Sequence, residues 1–245
     1  MKLTRYKHDS EVSYAFGATL VFELIKTHPE LITLVYLRPE QKKQGENLVQ
    51  ILEQLRSLKK EIIESSKAFN ILGAKDSCLL IAEFKKPSTK LNNSANSSHI
   101  ILVNPSDTGN LGTIMRSAIA FDYENLAIIT PAVDPFDPKT VRASMGAVFH
   151  LNIQEFRSFD EYKTANKDRE LYSFILNDKA ETLEQVKLQG KNFGLIFGNE
   201  ASGLPTVYGE ITKPIFIPQS KNVDSLNLSI AASVAMYKLS SLHNH

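Results

Sequence analysis

The sequence contains a single cysteine and no long apolar run. Cys78 stands alone among 245 residues, so no disulfide can form within the chain and a reducing cytoplasm is the expected location. Its neighbours Leu79, Leu80 and Ile81 favour a buried, inert thiol over a nucleophile. No apolar run approaches the roughly 18 residues of a membrane span, and the N-terminal residues lack the apolar core of a signal peptide. We therefore expect a cytoplasmic protein without a membrane partner.

Familiar nucleotide-binding and metal-binding motifs are also absent. The P-loop string G-x-x-x-x-G-K-[ST] does not occur, and Gly109 and Gly112 do not complete the dinucleotide fingerprint G-x-G-x-x-G. The six histidines show no metal-ligand spacing, and the closing His-Asn-His is a terminal tripeptide rather than evidence of a nuclease. These absences argue against a P-loop NTPase, a dinucleotide-dependent oxidoreductase and a histidine-ligated metal site.

Charge is distributed unevenly along a chain of ordinary composition. Hydrophobic residues make up 42% and charged residues 22% of the sequence, as in other globular proteins. Residues 1–90 hold 15 Lys and Arg against 11 Asp and Glu, whereas the remaining residues hold 13 against 16. The positive surplus weakly favours a polyanionic partner for the first segment.

A polar segment divides the chain into two predicted domains. Residues 85–98, KKPSTKLNNSANSS, are rich in Ser and Asn, a composition typical of linkers. We therefore place a first domain at residues 1–90 and a second at residues 98–245. The first is predicted to be a small α/β unit. Its predicted elements are helices at 16–27 and within 48–64, and strands at 31–37 and 77–85.

Nearly continuous apolar runs alternate with helical stretches after the linker. Such runs are typical of parallel strands covered on both faces, so we predict an α/β domain with a parallel sheet and helices on both faces. The strand candidates are His99–Val103, Leu126–Thr130, Tyr172–Leu176, Phe193–Phe197 and Ile215–Ile217. Because ligands bind at the carboxyl ends of such strands, we expect the site in the loops after Val103, Phe197 and Ile217.

The loop after Val103 leads into a helix for which Asn110 is the predicted N-cap. At 100° per residue, Arg116 points away from the apolar face of this helix. That face comprises Leu111, Ile114, Met115, Ala118 and Ile119. Arg116 is therefore either an ordinary solvated residue or a cation that projects over the strand ends.

The other two loops combine glycines, polar side chains and a helix start. Gly198 and Gly203 bracket Glu200, and glycine at a strand end permits positive φ or close approach to a ligand. Glu200 is either a surface turn residue or part of a site, and this setting favours the site. After Ile217 a polar loop reaches Asp224 or Ser225, the predicted N-cap of a helix rich in small residues.

Together the three loops resemble the motifs of the SpoU-type branch of the SPOUT superfamily, the RNA ribose 2'-O-methyltransferases. The motifs are seen as Asn110-Leu-Gly112-Thr-Ile-Met-Arg116, Gly198-Asn-Glu200-Ala-Ser-Gly203-Leu204, and Ile217-Pro218 through Ser225-Leu226-Asn227. The resemblance extends over residues 99–242, and the first 85 residues look like the family's ribosomal-protein-like substrate-binding domain. In many members a proline lies two residues before the first motif's asparagine, whereas Pro105 lies five residues before it here.

The resemblance implies a C-terminal trefoil knot that binds S-adenosyl-L-methionine, and a homodimer that packs through the knot helices. The small residues at 229–235 would then contact the partner. The cofactor contacts that it implies are Gly198, Ile217 and Leu226. The catalytic residues that it implies are Arg116, Asn110, Glu200, Ser225 and Asn227.

Arg116 is the functional arginine that the resemblance implies. Because arginine stays protonated in proteins, we expect it to grip the phosphate beside the target nucleotide and to lower the pKa of the 2'-hydroxyl, not to act as a base. The other four residues would hold the loops and orient the ribose, and Arg142 is either a second phosphate contact or a surface arginine. The expected function is metal-independent methylation of a ribose 2'-hydroxyl in rRNA or tRNA. The alternative is a catalytically silent RNA-binding or ribosome-assembly factor on the same scaffold.

Overall fold

The computed structural model describes residues 3–39, 46–177 and 180–240. The chain forms two compact units, one of residues 1–88 and 134–150 and the other of residues 89–133 and 151–245. Their first boundary, between Ser88 and Thr89, lies inside the segment predicted as a linker. The predicted division placed residues 134–150 in the second domain, whereas in the structure they pack within the first unit. No helix among the described residues is long and apolar enough to cross a membrane.

The elements are numbered in chain order. The strands are β1 Val12–Phe16, β2 Ile32–Leu37, β3 Ile62–Glu64, β4 Leu80–Lys85, β5 His99–Val103, β6 Asn125–Ile129, β7 Asn152–Phe156, β8 Glu170–Phe174, β9 Glu181–Thr182, β10 Phe193–Phe197 and β11 Lys213–Phe216. The helices are α1 Ala18–Thr27, α2 Glu46–Ser57, α3 Ser66–Leu72, α4 Thr108–Ala120, α5 Pro138–Ala143, α6 Phe159–Ala165, α7 Val207–Ile211 and α8 Leu228–Ser240. Two short 3-10 turns lie at Pro29–Leu31 and Ala147–His150.

The first unit is built on a four-stranded sheet in the order β1-β4-β2-β3. Its β1–β4 and β4–β2 pairs are antiparallel, and its β2–β3 pair is parallel. The helix predicted from residue 16 begins later, because Phe16 ends β1 and Gly17, at φ 97°, turns the chain before α1. Strands β1 and β3 and helix α3 are short and were not predicted from the sequence.

Polar contacts hold residues 134–150 within this first unit. The Asp134 carboxylate accepts a hydrogen bond from the Tyr6 hydroxyl and pairs with the Lys86 ammonium at 2.9 Å. The Ser13 hydroxyl donates to the carbonyl oxygen of Phe136, and α5 packs beside β1. Both bonded groups of the Lys86–Asp134 pair are largely buried, so the loss of one partner would leave a desolvated charge.

The second unit contains a seven-stranded sheet in the order β7-β6-β5-β10-β8-β11-β9. Every neighbouring pair in it is parallel, and helices flank it. The predicted α/β class and parallel sheet are therefore confirmed. The predicted bounds of β5 and β10 match, and those of β6, β8 and β11 differ by one or two residues. The edge strands β7 and β9 were missed because β7 mixes polar and apolar residues without regular alternation and β9 has two residues.

The small side chains of α8 make a close contact within the same unit. Ser229, Ala232 and Ala235 are buried in the chain itself, where α8 packs against α4. The hydroxyls of Ser117 and Ser233 lie 2.6 Å apart across this contact. The prediction that the small residues serve a partner chain is therefore wrong for these buried positions, because their own α4 already covers them.

Candidate active site

A cavity of about 750 Å³ lies at the carboxyl ends of three parallel strands of the second unit. Its walls are the residues that follow β8, β10 and β11, together with the first turn of α8. Parallel α/β sheets bind ligands at this edge, and the volume is that of a small-molecule pocket. The predicted site residues Gly198, Glu200, Ile217, Ser225 and Leu226 all line it.

Gly198 is required for the shape of this cavity. A Cβ atom at this position would lie 2.2 Å from the carbonyl carbon of Gly203 and 2.4 Å from the nitrogen of Leu204. Both are main-chain atoms, so no side chain can move aside to make room. The two backbone segments touch because Asn199 and Gly203 bond to each other in both directions. Gly203 adopts φ 66°, which closes this tight turn.

Two phenylalanines at the strand ends also line the cavity. Phe174, the last residue of β8, stacks on Phe197, the last residue of β10, with ring centroids 4.5 Å apart and planes 13° apart. Neither residue was predicted to belong to the site. The sequence does place each phenylalanine at or near the end of a predicted strand. It does not show that β8 and β10 are neighbours in the sheet, so the contact between the two rings could not be predicted.

The Glu200 carboxylate is surrounded by hydrogen-bond donors. Its Oε2 accepts from the main-chain nitrogen and the hydroxyl of Ser106, at 3.0 and 2.7 Å. Its Oε1 accepts from the main-chain nitrogen of Asp107 at 3.2 Å and from the Asn110 amide nitrogen at 3.3 Å. Partial burial acts to raise the pKa of Glu200, but the bonds from Ser106 and Asn110 outweigh it and leave the pKa below its usual value. Glu200 is therefore an anion that joins two loops.

A chain of amides extends from Glu200 to the last helix. The Asn227 amide nitrogen donates to Oδ1 of Asn110 at 3.1 Å. Oδ1 of Asn227 accepts from the main-chain nitrogen and the hydroxyl of Ser229, at 2.8 and 2.7 Å. The structure thus brings Asn110, Glu200 and Asn227 together, although they are far apart in sequence. Ser225 is exposed and lies on the cavity wall.

The helix caps differ from those predicted. Asp107, not Asn110, is the N-cap of α4, and its Oδ1 accepts from the Asn110 main-chain nitrogen at 2.7 Å. At α8, Asn227 accepts the main-chain N–H of Ser229, so neither Asp224 nor Ser225 has the predicted role. Both caps lie beside the Asn110–Asn227 hydrogen bond, which joins the first turn of α4 to the residue that precedes α8.

The two arginines of interest lie in different units. Arg116 is exposed on α4, opposite the buried residues of that helix, as its spacing predicted. Within the described part of the chain its guanidinium makes no hydrogen bond or ion pair, and it is not part of the cavity wall. Arg142 is exposed in the last turn of α5, which belongs to the first unit.

Comparison with known families supplies an independent finding about the second unit. The model of the SpoU rRNA Methylase family matches residues 97–237, which is more than half of the chain. The chain belongs to the SpoU rRNA methylase family. The match includes the three loops of this SpoU protein, and the suspected family is confirmed.

Relatives of this SpoU protein include proteins named for RNA methylation. Over 136 residues it is 31% identical to the 23S rRNA (guanosine(2553)-2'-O)-methyltransferase RlmP of Bacillus subtilis, a match that covers 54% of each protein. Over 141 residues it is 33% identical to an uncharacterized tRNA/rRNA methyltransferase of Synechocystis, covering 57% of this chain and 51% of the relative. These matches therefore span about half the length of these curated relatives.

A solved structure shows the same fold over nearly the whole chain. The SpoU methyltransferase AviRb from Streptomyces viridochromogenes, in complex with AdoMet, matches with a TM-score of 0.80 and 20% identity. The match covers 94% of this chain and 90% of that chain. At this level of identity the likeness concerns the fold.

Proposed function

We propose that this SpoU protein methylates a ribose 2'-hydroxyl in rRNA or tRNA and that S-adenosyl-L-methionine is its cofactor. The observation that carries the proposal is that two of the three motif loops line one cavity at the strand ends, and that Asn110 of the remaining loop bonds to both of them. Family membership and the 2'-O-methyltransferase named among its relatives support the same reaction. When bound, the cofactor supplies the methyl group; the protein aligns the nucleophile, and alignment alone is worth several kcal/mol.

The residues of the cavity fit this cofactor. The cavity has room for a nucleoside with an amino-acid side arm, and its lining offers both apolar side chains and main-chain groups. Gly198 keeps main-chain atoms free of a side chain there, while Ile217 and Leu226 supply apolar contact. We assign these three residues to cofactor binding.

Arg116 and the hydrogen-bonded group of Asn110, Glu200 and Asn227 have different roles in the proposed reaction. The exposed guanidinium of Arg116 offers a fork of donors to a phosphate of the RNA, and its charge favours ionisation of the nearby 2'-hydroxyl. Asn110, Glu200 and Asn227 hold the loops in place, and Ser225 faces the cavity. No group of three or more His, Cys, Asp or Glu side chains in the described ranges is placed to hold a metal ion.

The finer features of the fold and assembly belong to the proposal. We propose a trefoil knot, and two contacts support it: β11 pairs with β8, and α8, which follows β11, packs on α4, the helix that follows β5. An experimental structure whose backbone contains no knot would contradict this proposal. We also propose that the first unit binds RNA and that two chains associate through the exposed side of α8. Footprinting of RNA with the wild type and with Arg142→Glu, at an exposed arginine of the first unit, tests the first of these roles.

Calorimetry and a methyl-transfer assay test the function together. The expected result is micromolar binding of S-adenosylhomocysteine, no binding of NAD(H), and incorporation of labelled methyl groups at ribose 2'-oxygens of total RNA. Binding of S-adenosylhomocysteine without transfer to any RNA would contradict catalysis. Absence of any cofactor binding would instead support a silent RNA-binding or assembly factor.

A further inference from the structure

A chain of hydrogen bonds leads from Ser229 through Asn227 and Asn110 to Glu200, and each residue donates to the next. A main-chain N–H fixes this donor-to-acceptor direction. The main-chain N–H of Ser229 can only donate, so the atom of Asn227 that it meets must be the amide oxygen, 2.8 Å away. The Asn227 amide nitrogen must then face Asn110, whose oxygen accepts at 3.1 Å. The Asn110 amide nitrogen therefore faces Glu200, at 3.3 Å.

A second pair of main-chain groups fixes the other end of this chain. The N–H of Ser106 meets Oε2 of Glu200, and the N–H of Asp107 meets Oε1. The Ser106 hydroxyl adds a bond of 2.7 Å to Oε2. Each carboxylate oxygen therefore faces at least one donor that cannot reverse. Only a group that accepts on both sides fits between them, which is a carboxylate and not an amide.

We propose that Glu200 is a positioning residue for methyl transfer rather than its proton acceptor, and that Ser106 is a further positioning residue that acts through it. The proposal rests on the proposed function and deepens it. Ser106 and Asp107 orient Glu200, Glu200 orients the Asn110 amide, and Asn110 is held in register with Asn227. The role of the lengthened loop between Pro105 and Asn110 is therefore to supply the donors that orient Glu200.

The bonding of Glu200 argues against a role as base. A carboxylate has about four lone-pair sites, and four donors of the protein itself already point at Glu200. Capture of a substrate proton would require one of these bonds to break. The low pKa that the same bonds produce also weakens Glu200 as a proton acceptor.

An amide at position 200 makes the mismatch measurable. Glu200→Gln offers one acceptor oxygen, so its NH₂ group must face either the N–H of Ser106 or that of Asp107. A reversal of Asn110 does not help, because Asn227 would also have to reverse and would meet the N–H of Ser229. Asn110→Asp, added to Glu200→Gln, gives the new NH₂ group an acceptor and still accepts from Asn227, so the double variant keeps only the mismatch with the main-chain N–H of Asp107.

A double-mutant cycle in urea tests the geometry without any catalysis. We expect Glu200→Gln and Asn110→Asp each to lower the unfolding midpoint, and the double variant to lose less than the two single losses combined. Strictly additive losses would overturn the directional chain. Urea unfolding needs no RNA and no cofactor, so this test distinguishes the two proposals. Absence of methyl transfer would contradict the proposed function, whereas additive stability losses would contradict only the directional chain of hydrogen bonds.

Kinetics of the same variants test the role of Glu200. We expect Glu200→Gln to lower kcat at least 10-fold, and the double variant to recover several-fold of that loss without a carboxylate at position 200. A double variant that recovers stability but keeps the kcat of Glu200→Gln would show that the carboxylate itself is needed as a base.

Variants of Ser106 test its part separately. Ser106→Ala should lower kcat about 3- to 10-fold with KM for RNA and binding of S-adenosylhomocysteine unchanged, and Ser106→Thr should restore kcat. Thr113→Ala is the matched control, because the Thr113 hydroxyl bonds to the Gly109 carbonyl on the same helix and does not touch Glu200. An equal fall in kcat for Ser106→Ala and Thr113→Ala, or no fall for either, would overturn the role of Ser106.

Discussion

Arg116 and Glu200 carry opposite charges and have opposite surroundings. Glu200 is held by four donors, whereas the guanidinium of Arg116 extends from an exposed helix surface. A partly buried anion that accepts from four donors suits the organisation of loops. An exposed cation suits contact with a ligand that arrives from solution, and RNA is such a ligand.

The fork of donors on Arg116 gives the first prediction. Arg116→Lys keeps the positive charge but loses the planar pair of donors that grips a phosphate. We expect kcat for methyl transfer to fall about 10-fold or more, with binding of S-adenosylhomocysteine unchanged. Arg157→Lys, at another exposed arginine of the same unit, is the control. A wild-type rate for Arg116→Lys would show that the two-pronged contact is not used.

The bonds to Glu200 also predict an acid sensitivity. Its pKa is lowered in the folded protein, so its stabilising contribution is complete above the pKa of an unfolded glutamate and is lost as the pH falls through the folded value. Urea unfolding of the wild type should therefore show a loss of stability in that acidic window that Glu200→Ala lacks. The exposed Glu210→Ala should retain the wild-type dependence. Parallel pH profiles for the wild type and Glu200→Ala would contradict the assignment.

Which residues matter was more predictable than how they are connected. Asn110, Glu200 and Asn227 were expected from motif resemblance, and the structure bonds them together. The parts of Ser106 and Ser229 were not foreseen, because bonds such as Ser106–Glu200 join residues 94 positions apart. A single sequence holds no distance between such positions.

The tight turn after β10 leads to a prediction about that element. Gly198→Ala places a Cβ against the backbone of residues 203 and 204, so the turn must move by more than an ångström. We expect a stability loss of roughly 1–3 kcal/mol and loss of S-adenosylhomocysteine binding in calorimetry.

Gly209→Ala provides the matched control for this turn. Gly209 also lines the cavity, but its nearest neighbour is the flexible end of the Ile175 side chain, at 3.2 Å. Retained cofactor binding in Gly209→Ala is expected. Equal binding by Gly198→Ala and the wild type would show that the turn is not a wall of the cofactor site.

Central strands were predictable and edge strands were not, for a physical reason. β5 and β10 lie between other strands and are buried along their whole length, so their sequences are continuous apolar runs. β7 lies at an edge, and its pattern mixes polar and apolar residues. The start of α4 was misplaced because Asp107 and Asn110 are both good N-cap residues and only the loop geometry distinguishes them.

The exposed side of α8 gives a prediction for the assembly. Ile230, Val234 and Tyr237 follow one another at helical spacing and are 51%, 40% and 65% exposed, while the opposite side of the helix is buried on α4. We expect the wild type to sediment as a dimer and Val234→Asp as a monomer. Ile211→Asp, at an exposed apolar residue of α7, should remain dimeric. A wild-type monomer would contradict the proposed interface.

The assignment of residues 134–150 to the first unit was beyond sequence reasoning. The apolar and helical patterns of this segment fit either unit, and its place is decided by contacts such as Lys86–Asp134 and Ser13–Phe136. The segment carries Arg142 and adds it to the unit proposed to bind RNA.

Methylation of ribose 2'-oxygens of RNA is the reaction that we propose for this SpoU protein. Its most direct test is a map of 2'-O-methylation across total RNA from cells with the gene, without it, and with the Arg116→Ala form. We predict that a signal at a defined rRNA or tRNA position is lost without the gene and is not restored by Arg116→Ala. An identical methylation map in all three would contradict it.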